Sequence, residues 1–287
     1  MAALLKLLRV HQWVKNLFVF LPIFFSGNLL NRDLLTDAFF AFLAFCLTTS
    51  MIYILNDYKD VEKDRMHPIK KHRPLASGIL SKRTALLMFI PLIIGLCLII
   101  FFRFNLNHSW PLILYFALNL LYTFGLKSIP ILDVGIIAVG FVLRVVLGGL
   151  VTGIIVSKWA FLLTFSLALV LALGKRRGEL LSTDGSSRTA LQGYNLSFLD
   201  AALTSTVTIT IVCYIMYAVS PAVENSLGFK YVYITSIFVI LGVLRYLQQT
   251  FVYGRTESPT RLLYKDLFIQ VTILLWISTF ALIIYFK

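Results

Sequence analysis

Asn56, Asp57, Asp60 and Asp64 follow directly on an apolar run, Phe39 to Leu55. A helix that continues past Leu55 stacks Asp57, Asp60 and Asp64 on one side. Like charges in that register repel unless a cation lies among them, and hard oxygen ligands suit Mg²⁺. The next segment, His67 to Gly78, carries Lys70, Lys71 and Arg73 in a loop bounded by Pro68, Pro74 and Gly78. There an arginine can grip a phosphate through two parallel hydrogen bonds, whereas a lysine offers a point charge. Acids that hold a divalent ion next to bases that hold phosphates are the parts needed to handle a diphosphate. The competing account is a solvated loop whose acids pair with Lys59, Lys63 and Arg65.

A second charged stretch, Lys175-Arg176-Arg177-Gly178-Glu179, also follows an apolar run and is dominated by bases. Between the two stretches stands Arg144, thirteen residues beyond Ile131. At 1.5 Å per helical residue that is about 20 Å into an apolar segment. An arginine facing lipid there would cost at least about 2.5–3.5 kcal/mol, so it must face a partner inside. It binds either a phosphate or a structural partner. Tyr122, Lys127 and Asp133 flank a tight turn between two apolar segments, and Lys15 and Asn16 open the first. No Ser-His-Asp or Cys-His arrangement is present in the sequence, and Cys46, Cys97 and Cys213 lie in apolar runs without metal-ligand spacing. His67 and His72 read as ordinary polar residues of a basic loop.

What must position these groups is a bilayer-spanning scaffold. The chain of 287 residues is 59% hydrophobic and only 14% charged, with a mean hydropathy of +0.87. Those values exclude a soluble domain. A window of about twenty residues places spans near 17–30, 38–55, 84–102, 109–126, 131–151, 158–174, 202–220, 229–247 and 267–286, giving an all-α polytopic membrane protein in a single domain, 1–287. The N-terminal stretch reads as a retained interfacial segment. With the N-terminus inside, the inner loops hold twenty of the lysines and arginines, against five outside: Arg32, Arg103, Lys158, Lys230 and Lys287. The positive-inside rule therefore selects a cytoplasmic N-terminus and an external C-terminus. The net charge of +13 then lies mostly on one face, where anionic headgroups or a highly anionic substrate would be attracted.

The pattern N-D-x-x-D-x-x-x-D at Asn56 to Asp64, at the end of the second of nine spans, resembles the UbiA-type membrane prenyltransferases over essentially the whole chain. The branch that moves phosphoribosyl to polyprenyl phosphates is the nearest likeness. It is carried by Arg9 to Asn16, His67 to Gly78, Asp133 with Phe141 to Arg144, Lys175 to Leu180 and, more loosely, Gly254 to Asp266. The resemblance implies nine helices around a central cavity open to the cytoplasm. It also implies Mg²⁺ on Asn56, Asp57, Asp60 and Asp64, with Asp57, Asp60 and Lys175 carrying the catalysis. Lys15, Asn16, Lys70, Arg73, Tyr122, Lys127, Asp133, Arg144, Lys175, Arg176 and Glu179 would meet the substrates.

Members acting on aromatic acceptors usually carry a second aspartate-rich motif where this chain has Lys175 to Glu179. The exchange of carboxylates for bases suits a donor with more phosphates, or an acceptor that is itself a phosphate. Expected partners are therefore phosphoribosyl diphosphate, a polyprenyl phosphate and the lipid bilayer, with no nucleic acid; a homo-oligomer is compatible. The implied place is a bacterial inner membrane and the implied role cell-wall precursor synthesis. Two rivals remain: a prenyltransferase moving an isoprenoid from its diphosphate to an aromatic or other acceptor, and a lipid-binding or transport protein.

Overall fold

The structure, a computed structural model, describes residues 2–181, 189–254, 262 and 265–285, and every regular element among them is helical. Asp184 with its neighbours, and most of the Gly254 to Asp266 stretch, lie outside the described residues. In chain order come α1 (Ala2–Leu7), a 3₁₀ helix (Val10–Phe20) running into α2 (Leu21–Phe25), α3 (Arg32–Lys59), α4 (Val61–Met66), α5 (Lys82–Leu87) and α6 (Phe89–Arg103). These are followed by α7 (Trp110–Phe124), α8 (Leu132–Thr152), α9 (Lys158–Leu181), α10 (Leu196–Ala218), α11 (Pro221–Leu227), α12 (Ser236–Phe251) and α13 (Leu267–Tyr285).

Each of the nine expected segments falls on an apolar helix. Seven helical stretches among the described residues are long and apolar enough to cross a membrane, while Val10–Phe25 and Trp110–Phe124 are shorter. The expected span at 109–126 shrinks because Gly125 leaves the helical path and a short 3₁₀ turn, Leu126–Ser128, takes over. Asn31, just beyond the first expected span, caps α3 by accepting the Asp33 and Leu34 N–H groups. The outward surface confirms the solvent: α6 buries Leu92 and turns Ile90, Ile94, Leu98, Phe101 and Phe102 outward. Such a face is suited to lipid and not to water. The protein is an integral, multi-pass membrane protein.

The described residues form two compact units, one of Met1–Phe24, Asn28–Phe124 and Leu143–Ile155, the other of Phe25–Gly27, Gly125–Val142 and Val156–Lys287. In the first, Leu7, Met51, Ile54, Val61, Leu75, Ala85 and Leu92 pack together. Leu75 thereby pins the basic loop to the end of α3. In the same unit α8 passes so close to the 3₁₀ helix that a Cβ on Gly148 would lie 2.0 Å from the Val19 carbonyl oxygen. In the second unit Val134, Val170, Leu173, Leu199, Leu203 and Tyr246 form the core. There Gly174 faces the Tyr246 hydroxyl, which a Cβ would meet at 1.9 Å.

Candidate active site

In the first unit the helix does run on past Leu55, as the acid register requires. α3 ends at Asp60 (φ −92°, ψ 8°) and α4 resumes at once, with the Asp64 N–H bonded to the Asp60 carbonyl at 2.8 Å. Asp57 and Asp64 are seven residues apart, two turns on one face, and both are buried. They converge on one base. Arg73 Nη1 donates to Asp64 Oδ2 at 2.6 Å and to Asp57 Oδ1 at 3.2 Å, while Arg9 Nη2 donates to the same Asp57 oxygen at 2.5 Å. Asp57 is only 2% exposed, so without such partners its charge would be untenable.

Arg9 occupies the left-handed region (φ 51°, ψ 46°) between α1 and the 3₁₀ helix, a conformation that costs a non-glycine residue of order 1–3 kcal/mol. That turn aims the guanidinium at Asp57 and lays it 4.6 Å from the centre of the Tyr53 ring. Asn56 takes a hydrogen bond from the Thr123 hydroxyl, and Lys59 Nζ donates to the Thr123 carbonyl at 2.7 Å. Both residues are thereby tied to the end of α7. Asp60 is half-buried at the break between α3 and α4, and Lys15, Lys70 and Tyr122 are half-buried as well. His67 Nδ1 accepts from the Ile69 and Lys70 N–H groups, a turn-forming role.

Arg144 finds the interior partners its depth demanded. Its Nε donates to Asn16 Oδ1 at 2.8 Å and its Nη2 to the Tyr115 hydroxyl at 3.0 Å, with the Tyr115 and Phe45 rings 4.7 and 5.2 Å from the guanidinium carbon. The residue is 5% exposed and Asn16 is fully buried.

The second unit holds the other cluster. Arg176, 1% exposed, donates from Nε to Asp133 Oδ2 at 2.7 Å and from Nη1 to Glu179. The Tyr194 hydroxyl donates to the other Asp133 oxygen at 2.6 Å and accepts the Ile131 N–H at 2.6 Å. Burial first, then the bond to Asp133, raise the Tyr194 phenol above its ordinary value, which keeps it a donor. Arg177 reaches a third set of partners, Asp200 at 2.6 Å and the Thr250 carbonyl at 2.8 Å. Of the three consecutive bases, Lys175 alone has a widely exposed side chain, at 46%, with Glu179 3.8 Å away. Lys127 is half-buried in the turn before α8.

Among the described residues no trio of His, Cys, Asp or Glu is gathered tightly enough to hold a metal unaided. Of the four expected ligands the structure brings two together, Asp57 and Asp64, around a point already occupied by a cation. That arrangement fits Mg²⁺, which commonly takes one or two carboxylates and completes its octahedron with phosphate oxygens and water. Three participants escaped the sequence reading: Arg9 at Asp57, Thr123 at Asn56, and Tyr194 at Asp133. Each lies far along the chain from its partner, where spacing carries no signal.

A model of the UbiA prenyltransferase family matches residues 17–278. The decaprenyl-phosphate phosphoribosyltransferase of Mycolicibacterium smegmatis is 33% identical, covering 100% of this chain and 93% of that protein. The enzyme of the same name from Corynebacterium glutamicum is 31% identical over 98% of this chain and 86% of its own length. Among solved structures, a UbiA homologue from Archaeoglobus fulgidus bound to DMAPP and Mg²⁺ superposes with a TM-score of 0.70 at 18% identity, covering 98% of each chain. That likeness concerns the fold. With the family model spanning most of its length and relatives alike from end to end, the chain belongs to the UbiA prenyltransferase family.

Proposed function

We propose that the chain is a membrane pentosyltransferase that moves a 5-phosphoribosyl group from phosphoribosyl diphosphate to a polyprenyl phosphate of the decaprenyl type and releases diphosphate. The observation that carries this reading is the end-to-end similarity to two enzymes named decaprenyl-phosphate phosphoribosyltransferase. The site chemistry supports it. Asp57 and Asp64 offer two buried carboxylates for Mg²⁺ beside a loop of bases, and the second cluster spends Asp133 and Glu179 on Arg176, so its acids are not laid out as a second metal site.

Mg²⁺ held there would neutralise charge on the departing diphosphate. Asn56 and Asp60 are proposed to complete its environment with the substrate. Lys15, Lys70 and Arg73 hold phosphates of the donor, and Lys175 adds stabilisation as charge develops on the leaving group. Asp57, Asp60 and Lys175 are thus the residues proposed to act on the reacting groups. Tyr122, Lys127, Asp133, Arg144, Arg176 and Glu179 shape the binding surface, Arg176 by fixing Asp133 and Glu179. The phosphate of the lipid acceptor is ionised at neutral pH, so no general base is needed. It attacks the anomeric carbon opposite the leaving group, and the product is inverted there.

Nine crossings, a cavity open to the cytoplasm, a cytoplasmic N-terminus and an external C-terminus belong to the same proposal, with residues 1–287 as one catalytic domain in a bacterial inner membrane. The short first segment is compatible with crossing. Eleven 3₁₀ residues at about 2.0 Å and five α residues at about 1.5 Å reach about 30 Å, the thickness of the hydrocarbon core. The deciding experiment supplies radiolabelled phosphoribosyl diphosphate or labelled prenyl diphosphate to purified protein with polyprenyl phosphate and Mg²⁺. Label from the first donor in the lipid phase supports the proposal; transfer from the prenyl donor alone rejects it.

A further inference from the structure

Two arginines meet at Asp57, and they are not equivalent. Arg9 touches one carboxylate, Asp57, and is braced from behind by the Tyr53 ring and by its own constrained backbone. Arg73 bridges two carboxylates, Asp57 and Asp64, from a single nitrogen, and so sits where a divalent cation shared by those carboxylates would sit. Its backbone is fixed nearby. The Arg73 N–H bonds the Lys70 carbonyl at 2.9 Å, its carbonyl takes the Ser77 N–H at 2.9 Å, and Leu75 is buried two residues on. The side chain itself is 29% exposed and reaches both acids through one nitrogen. It can leave by rotation about its own bonds without unseating the loop.

Two arginines against two aspartates leave the metal-free cluster neutral. Adding Mg²⁺ with both arginines in place would make it +2, and repulsion falls on the base that shares both ligands. We propose that Arg73 is a stand-in cation that Mg²⁺ displaces, and that the displaced guanidinium then becomes a ligand for the donor's phosphates. Metal entry thereby arms donor binding, and the acids stay paired at every stage. Arg9 remains on Asp57 and holds it in position while the exchange occurs. The identity of the phosphate ligand rests on the function proposed above; the exchange at the carboxylates does not.

The test measures Mn²⁺ binding by paramagnetic resonance on full-length protein in detergent, with no donor present, for wild type, Arg73→Gln and Arg73→Lys. Removing a competing unit charge a few ångströms from the metal should tighten Mn²⁺ binding at least about tenfold in Arg73→Gln. Arg73→Lys, which keeps a cation, should stay nearer wild type. Thermal melting gives a second readout that a merely structural role would not reproduce. Metal-free Arg73→Gln should melt below wild type, because two buried acids lose a partner, and Mg²⁺ should restore more of its stability than it adds to wild type. At saturating metal the same variant should bind phosphoribosyl diphosphate more weakly. Mn²⁺ affinity that is unchanged or weaker in Arg73→Gln, or no Mn²⁺ binding by any of the three proteins, overturns the exchange. Tighter Mn²⁺ binding with no phosphoribosyl diphosphate binding in wild type upholds the exchange and rejects the donor.

Discussion

Replacing Arg176 by methionine separates a base that contacts substrate from one that holds the protein together. Methionine fills much of the volume of the arginine stem and removes the charge. In the native arrangement Asp133 is 0% exposed and its two oxygens are served by Arg176 and Tyr194. Without the guanidinium one oxygen keeps the tyrosine and the other is left buried and unpaired. Breaking a buried pair in this way costs about 3–5 kcal/mol. Asp133→Asn is milder, about 1–3 kcal/mol, because Arg176 retains Glu179. The double variant carries no stranded carboxylate at 133, so its loss should be no greater than that of Arg176→Met alone, a coupling at least as large as the Asp133→Asn loss, about 1–3 kcal/mol. Denaturant titration in detergent, followed by tryptophan fluorescence, measures all four proteins. Stability of Arg176→Met within about 1 kcal/mol of wild type, or a double variant that loses the sum of the singles, would refute the reasoning.

Four further outcomes are expected. Gly148→Ala forces a methyl against the Val19 carbonyl and should destabilise by about 1–3 kcal/mol or more, read as a lower denaturation midpoint. Lys175→Ala, at an exposed side chain, should melt like wild type yet lower kcat in the labelled-transfer assay. Asp57→Asn should abolish Mg²⁺-dependent transfer, whereas a transport or lipid-binding role would leave lipid binding and cellular phenotype unaffected. Arg144→Met should cost about 1–3 kcal/mol by stripping Asn16 and Tyr115 of their buried partner, a fall in stability seen without any substrate.

The apolar segments and the acid register were legible because each depends on neighbours in the sequence. Hydropathy over twenty residues finds a lipid-facing helix, and the helical register puts Asp57 and Asp64 on one face, whereas Asp60, expected beside them, falls at the break between α3 and α4. Helix ends were less legible: the Trp110–Phe124 helix stops short of its expected limit at Gly125, and the first segment is wound as a 3₁₀ helix that no periodicity announced. Within Lys175-Arg176-Arg177 three like residues have unlike fates, since successive positions on a helix point about 100° apart. One meets solvent, one Asp133 and Glu179, and one Asp200. The sequence reading treated the first two as equivalent phosphate ligands, and only packing distinguishes them. Arg9 was visible as part of a matching stretch, but its contact with Asp57 depends on a left-handed turn that a non-glycine residue rarely takes.

Ile131 holds φ at 69°, an unusual posture for a branched side chain, and its N–H is fastened by the Tyr194 hydroxyl. The turn into α8 is therefore a sprung joint that the phenol helps backbone hydrogen bonds to hold shut. Tyr194→Phe would release both hydrogen bonds together, yet the backbone could then relax, recovering part of the loss as strain is discharged. The penalty should come out smaller than two buried hydrogen bonds imply, and in an Ile131→Gly background, where no strain is left to discharge, it should rise toward the full value. Stiffness at this joint, rather than bond strength alone, is what the tyrosine supplies to Asp133.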